Sequence, residues 1–116
     1  MPKRKLDPLP SAAFQILLAL AGEDLHGYAI MRQVEQQTNG RVRLGPATLY
    51  GSIKTLLEAR LIEEVAERPD AELGTERRRY YHLTSAGLKL TRSEVERLAD
   101  LLRVARAKRI LRGAHV

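Results

Sequence analysis

The chain has 116 residues, with 20 lysines and arginines against 14 acids for a formal charge of +6, and no cysteine. That length builds one core and leaves no room for a second, and the missing cysteine removes disulfides, thiolate zinc sites and a cysteine nucleophile together. The longest apolar run, Ile16–Ala21, falls far short of the about 20 residues that a membrane span needs. The basic start Met1–Lys5 leads into no secretory apolar core, so a soluble cytoplasmic protein without membrane contact is expected.

The charge is segregated along the chain. Residues 11–40 hold Arg32 against Glu23, Asp24 and Glu35, whereas residues 41–60 hold Arg41, Arg43, Lys54 and Arg60 against Glu58 alone. Residues 61–76 then carry Arg68 against six acids, and Arg77-Arg78-Arg79 follow without a break. Clustering of this kind is what an electrostatic footprint for phosphates requires, while an evenly spread excess serves only solubility.

After a proline-punctuated lead, Ser11 is placed to cap a first helix with Phe14, Leu17, Leu18 and Ala21 on its apolar face, ended by Gly22. Asp24-Leu25-His26-Gly27 opens a second helical pattern carrying Ile30 and Val34, with Asn39-Gly40 as its C-cap. Pro46 suits the first turn of a third helix, in which Leu49, Ile53, Leu56 and Leu57 form one apolar stripe. The opposite face shows Thr48, Tyr50, Ser52, Lys54 and Thr55. Such a face is poorer in Glu and Lys than an ordinary solvated one and suits contact with another polar surface.

Two strand-like runs follow. Leu61–Val65 and Arg77–Leu83 flank a polar loop with Pro69 and Gly74. Alternation points Arg79, Tyr81 and Leu83 one way and Arg78, Tyr80 and His82 the other. Three helices and a charged antiparallel hairpin make a winged helix-turn-helix. From Thr84 or Ser85 a last helix begins, in which Leu88, Thr91, Val95, Leu98, Leu102 and Ala105 step as a heptad seam. Leu90, Leu101, Val104 and Leu111 widen it, and the basic Arg103–Arg112 end is expected to fray. With no later element to cover it, the seam pairs with a second copy or folds back on the first helix.

His26-Gly27-Tyr28-Ala29-Ile30 resembles the start of the second helix in PadR-family transcriptional regulators. Ala47-Thr48-Leu49-Tyr50-Gly51-Ser52-Ile53 resembles that family's recognition-helix motif, with Ala47 where glycine is usual and Gly51 where proline is usual. Leu56-Leu57-Glu58 with Leu61-Ile62 is similar to its third-helix exit, and Arg78 through Thr84 with Gly87 to its wing strand and last helix. The single C-terminal helix places the likeness with the shorter subfamily. Some of its members stack flat drugs on an interface tryptophan, but here no Trp is present and no Phe or Tyr follows Tyr81.

The resemblance implies a mostly α chain with a small β-hairpin: a basic arm (1–10), a winged helix-turn-helix (11–84), a dimerisation helix (85–112) and a short tail (113–116). It implies a homodimeric repressor on a roughly palindromic double-stranded operator, open to a small-molecule effector that changes the angle between the two C-terminal helices. The recognition helix (about 46–58) takes the major groove and the wing (about 66–79) the backbone or minor groove. The DNA-contacting candidates are Tyr28, Thr48, Tyr50, Ser52, Lys54, Arg77, Arg78 and Arg79, with Arg41 and Arg43 as a second tier. Tyr28 has core packing between the second and third helices as its other reading. The dimer candidates are Leu88, Val95, Leu98, Leu102 and Ala105. His26, His82 and His115 are scattered and no phosphate-cradling glycine fingerprint occurs, so neither enzyme, cofactor nor metal is expected. Two alternatives remain: a non-specific architectural nucleic-acid-binding module, and a winged-helix protein-interaction module.

Overall fold

The order of elements is α1 (Ser11–Ala19), β1 (Leu25–His26), α2 (Gly27–Gln37), α3 (Pro46–Glu58), β2 (Ile62–Pro69), β3 (Arg77–Leu83) and α4 (Ser85–Ala107). This computed structural model describes residues 6, 9–69 and 77–111, without the side chains of 66–69 and 77–78. Most of the 1–10 arm, residues 70–76 of the wing and the 113–116 tail therefore lie outside the described residues.

The apolar stripes of the first three helices meet in one core. Ile16 and Leu17 from α1, Ile30 and Val34 from α2, and Leu49, Ile53 and Leu56 from α3 join Ile62, Tyr81 and Leu83 of the sheet. Burial of each such aliphatic side chain contributes about 1.5–3 kcal/mol. Gln37 Nε2 ties α2 to α1 by donating to the Gln15 backbone oxygen at 2.9 Å and to its Oε1 at 2.8 Å.

Helix ends agree with the sequence in part. Pro46 opens α3 behind Gly45, and Thr84 Oγ1 caps α4 by accepting from the Gly87 N–H at 3.0 Å. Asn39-Gly40 does close α2: Asn39 takes a left-handed φ of 53° and the Gly40 N–H reaches the Glu35 carbonyl at 2.7 Å. α3 and α4 end in the same motif with arginines at the left-handed position, Arg60 and Arg109, where glycine is usual. The expected fraying from Arg103 is corrected accordingly. α4 runs to Ala107, and the Ile110 N–H closes on the Ala105 carbonyl at 3.0 Å.

Two further expectations are corrected. Ser11 is the first helical residue and not the cap; Pro10 holds that position without a side-chain bond. Leu25 and His26 do not belong to a helix but form a third strand, giving an antiparallel sheet of order β1-β3-β2. Leu25 pairs with Tyr81 and His26 with Tyr80. Two residues are too few to display an alternation, so only the free edge of β3 defines them as a strand.

β2 pairs with β3 from Ile62↔Leu83 through Val65↔Tyr80, then gains one residue before Arg68↔Arg78. Such a bulge bends and twists the outer part of the hairpin away from the plane of its base.

α4 is docked at its first turns only. The Leu61 carbonyl, at the exit of α3, accepts from the Thr84 N–H at 3.1 Å, and Thr84 Oγ1 lies 3.0 Å from it. A Cβ on Gly87 would stand 2.0 Å from that same oxygen, so only glycine allows the helix this close. Thr91 is buried beside it and donates to the Gly87 carbonyl at 2.7 Å.

Candidate nucleic-acid interface

At about 100° per residue, Leu49, Ile53 and Leu56 turn inward and place Ala47, Gly51, Lys54 and Glu58 on the outermost ridge of α3. All four of these ridge residues are exposed. Two of the four are the smallest side chains available, so the backbone of α3 can approach another surface closely. Its first turn carries no acidic residue and no side-chain cap, which leaves outward-facing N–H groups suited to an anion.

The four candidates on this helix do not share a face. Lys54 stands on the sheet side of the ridge and Tyr50 on the flank toward the sheet, whereas Thr48 and Ser52 lie on the flank toward α1. Thr48 and Lys54 are exposed, and Ser52 is half-buried in a recess with Leu6, Pro10, Ala13, Gly51 and Thr55.

Tyr50 is half-exposed but anchored. Its hydroxyl lies 2.6 Å from where a Gly27 Cβ would stand, so the phenol rests on the first residue of α2. Beside it, His26, Gly27, Arg79 and Tyr81 complete a second recess. Tyr81 is buried there, and its phenol is pushed above its ordinary pKa, first by burial and then by the neighbouring Glu64 and Tyr50.

Arg79 shares the strand face of Tyr81 and Leu83, as alternation requires, yet strand packing does not absorb it. It is mostly exposed, with Nη1 3.4 Å from Glu64 Oε1, a surface pair of small energetic weight. The side chains of Arg77 and Arg78 lie outside the described residues. Arg41 and Arg43 are both exposed, and Arg43 Nε lies 3.4 Å from Glu35 Oε1.

Tyr28 is not in the core between α2 and α3. It is 48% exposed, stacked on His26 with ring centres 6.5 Å apart, and the Arg32 guanidinium sits 5.9 Å from its ring centre. His26 is the residue that sequence reasoning passed over. Its Nδ1 accepts from the Ala29 N–H at 3.2 Å, capping α2, and its ring meets Tyr80 edge-on at 5.4 Å. The signal was the Leu25-His26-Gly27-Tyr28 run itself: a capping side chain, a glycine under Tyr50 and an exposed phenol in succession. Among the described residues, no cluster of three or more His, Asp or Glu is arranged to hold a metal ion.

Helices α1–α3, a three-stranded sheet extended into a hairpin, and a bare α3 ridge between them define a winged helix-turn-helix domain. Residues 16–93 match the family described as the transcriptional regulator PadR-like family, and the chain belongs to it. The family is one of transcription regulators, which agrees with the expectation of a non-enzyme.

A curated relative, an uncharacterised 37.1 kDa protein in transposon TN4556 of Streptomyces fradiae, is 40% identical over 90 residues. Those residues are 78% of this chain and 24% of that protein, so the chain spans about a quarter of the relative it matches. Among solved structures, a PadR family transcription regulator from Clostridium difficile R20291 is 23% identical with a TM-score of 0.71, over 84% of this chain and 97% of that one. Bacillus subtilis PadR in complex with operator DNA is 17% identical with a TM-score of 0.63, over 74% of this chain and 48% of that one. At these identities the shared property is the fold. No helix among the described residues is long and apolar enough to cross a membrane.

Proposed function

We propose that the chain is a homodimeric, sequence-specific DNA-binding repressor acting in the cytoplasm. The observation that carries this reading is the α3 ridge: exposed, small at Ala47 and Gly51, cationic at Lys54, and flanked on the sheet side by Tyr50 and Arg79. A helix with its side chains, about 10–12 Å across, fills a major groove about 12 Å wide, and Ala47 and Gly51 allow it to seat deeply. Thr48 and Lys54 are the side chains available for base edges or phosphates. Tyr50, held on Gly27, sets the orientation of α3 and offers its exposed edge to a phosphate. Tyr28, with Arg32 over its ring, is a further backbone contact, and Arg77–Arg79 carry the wing to the backbone or the adjacent minor groove. The solved relative bound to operator DNA supports the same partner for this chain.

Dimerisation uses the part of α4 that its own chain leaves uncovered. Leu88, Val95 and Leu98 are 40%, 43% and 40% exposed, and Leu102 and Ala105 continue their stripe half-buried. The two readings of this helix hold together: its first turns fold back on α1, and the rest awaits a second copy. A two-fold dimer reads half-sites about one helical turn, or 10 bp, apart. A small-molecule effector would act by favouring one angle between the paired α4 helices over another.

The test is a fluorescence-anisotropy titration at about 150 mM salt with the protein's own promoter and a shuffled duplex, where specific binding is typically about 10³-fold or more tighter. Equal affinity for both would turn the reading to an architectural module, and no affinity for either to protein docking.

A further inference from the structure

The recess between α3 and the sheet is lined by His26, Gly27, Tyr50, Arg79 and Tyr81, and each polar side chain in that lining can donate a hydrogen bond. The phenols and the guanidinium are donors outright. His26 Nδ1 accepts from the Ala29 N–H, which leaves the hydrogen of the neutral ring on Nε2. Helix α2 begins here at Gly27 with no acidic residue in its first turn, and adds the positive end of its dipole. Tyr81 is the unusual member. It is 5% exposed, yet the groups that act on its phenol oxygen are Glu64, Tyr50 and Arg79, so the hydroxyl end meets the polar recess and not the apolar core. Its raised pKa keeps the proton on at neutral pH. Among the described residues nothing accepts that proton, and the Tyr50 hydroxyl makes no hydrogen bond either. A buried tyrosine hydroxyl ordinarily has a partner.

We propose that Tyr50, Tyr81 and Arg79 form a seat for one phosphate of the DNA backbone, with Glu64 holding Arg79 until the phosphate takes its place. The inference rests on the reading of α3 as a DNA-binding helix. When such a helix fills the major groove, its flanks face the phosphates that border the groove, and this recess lies on the flank toward the sheet. A phosphodiester offers acceptor oxygens and no donor, which is the complement of these three side chains. Tyr50 is braced on Gly27 and Tyr81 is buried, so both hydroxyls stand in place before binding and little ordering remains to oppose it. Arg79 is mostly exposed, and its contact with Glu64 is long at 3.4 Å. Exchanging that weak surface pair for a phosphate is therefore inexpensive. Because the seat joins the recognition helix to the root of the wing, a phosphate held there fixes the register of one against the other.

The test compares the full-length protein with Tyr81→Phe, Arg79→Ala and Glu64→Gln. The probe is a duplex of about three helical turns (roughly 30 bp) carrying the site that the unaltered protein selects from a randomised pool. Tyr81→Phe is expected to bind roughly tenfold more weakly with an unchanged log–log salt slope, because the lost hydroxyl carries no charge. Arg79→Ala flattens that slope by about 0.9, and Glu64→Gln binds more tightly than the unaltered protein, a gain that general damage to the fold does not produce. Single phosphates are then replaced in turn by neutral methylphosphonates. At one position in each half-site the replacement should abolish the difference between Tyr81→Phe and the unaltered protein. Equal affinity of Tyr81→Phe, or a loss that persists at every methylphosphonate position, would overturn the seat and leave the DNA reading standing. Inorganic phosphate that displaces the duplex beyond its ionic strength, and only while Tyr81 keeps its hydroxyl, would overturn the backbone assignment in favour of a free anion. An unaltered protein that selects and binds no duplex overturns the DNA reading and the seat together.

Discussion

The winged domain and α4 are built from the same sequence device and end in opposite states. In α1–α3 the larger part of each apolar stripe closes inside a shared core, with Ile16, Leu17, Ile30, Val34 and Leu56 wholly inaccessible. In the 23 residues of α4 only Gly87 and Thr91 are buried, while Leu101 and Val104 are about half exposed. An apolar stripe records that something must cover it. Which chain supplies the cover depends on what the topology leaves opposite, and beyond Thr91 none of the described residues buries the stripe.

The sharpest way to break this contrast is at the joint between the two regions. Gly87→Ala drives a methyl group into the Leu61 carbonyl, which is backbone and also holds Thr84. A loss of about 1–3 kcal/mol or more is expected, read as a fall in melting temperature of roughly 4–8 °C per kcal/mol. An unchanged melting temperature would mean that α4 is not docked on the domain through this contact.

Further along, Leu98→Asp places a charge in the uncovered stripe, where a buried leucine contributes about 1.5–3 kcal/mol. The proposed dimer should separate in light scattering while the monomer keeps its helical circular dichroism. A variant that stays dimeric would remove this stretch from the interface.

On the DNA side, Lys54→Ala should weaken binding at fixed salt and flatten the log–log salt slope by about 0.9 if its ammonium neutralises one phosphate, with little change in melting temperature because Lys54 is exposed. Equal affinity would make it a solvated charge.

The smallest effect concerns pH. Burial and the neighbouring Glu64 hold the Tyr81 phenol above its ordinary value, so the folded chain keeps a proton that the unfolded chain gives up. Stability from this group is therefore full below about pH 10 and falls as pH rises through the raised value. Tyr81→Phe should show a shallower alkaline loss; an identical profile would assign that loss to other groups.

Much of the fold was legible because its signals are local. The stripes of α2 and α3, Pro46, the Asn39-Gly40 cap and Thr84 each act within a few residues of themselves. In α1, by contrast, the face that closes is Ala13, Ile16, Leu17 and Leu20, and Leu18 and Ala21 of the expected face are exposed. What escaped was relational. Leu25-His26 is a strand only because β3 offers an edge, and Arg60 adopts a left-handed turn because Leu61 must return to the sheet. Thr91 stands in the heptad seam yet is consumed by its own domain, since Gly87 lets the helix approach there. The candidate site shows the same division. The polar character of α3 was readable, but Thr48, Tyr50, Ser52 and Lys54, grouped together in sequence, separate onto two flanks once the core claims Leu49, Ile53 and Leu56. His26 looked isolated among scattered histidines until folding placed Tyr28, Tyr50 and Tyr80 around it.

By itself, then, the sequence determined the winged-helix class, the family likeness and the two surfaces that want partners, because periodicity, caps and charge clusters are written in neighbouring residues. Only the tertiary structure decided which face of α3 is bare, where α4 leaves the domain, and that Leu6 and Pro10 lie at the helix's edge. Those are properties of packing between segments distant in the chain, and the Leu61 carbonyl that admits Gly87 but no larger residue is where such packing is tightest.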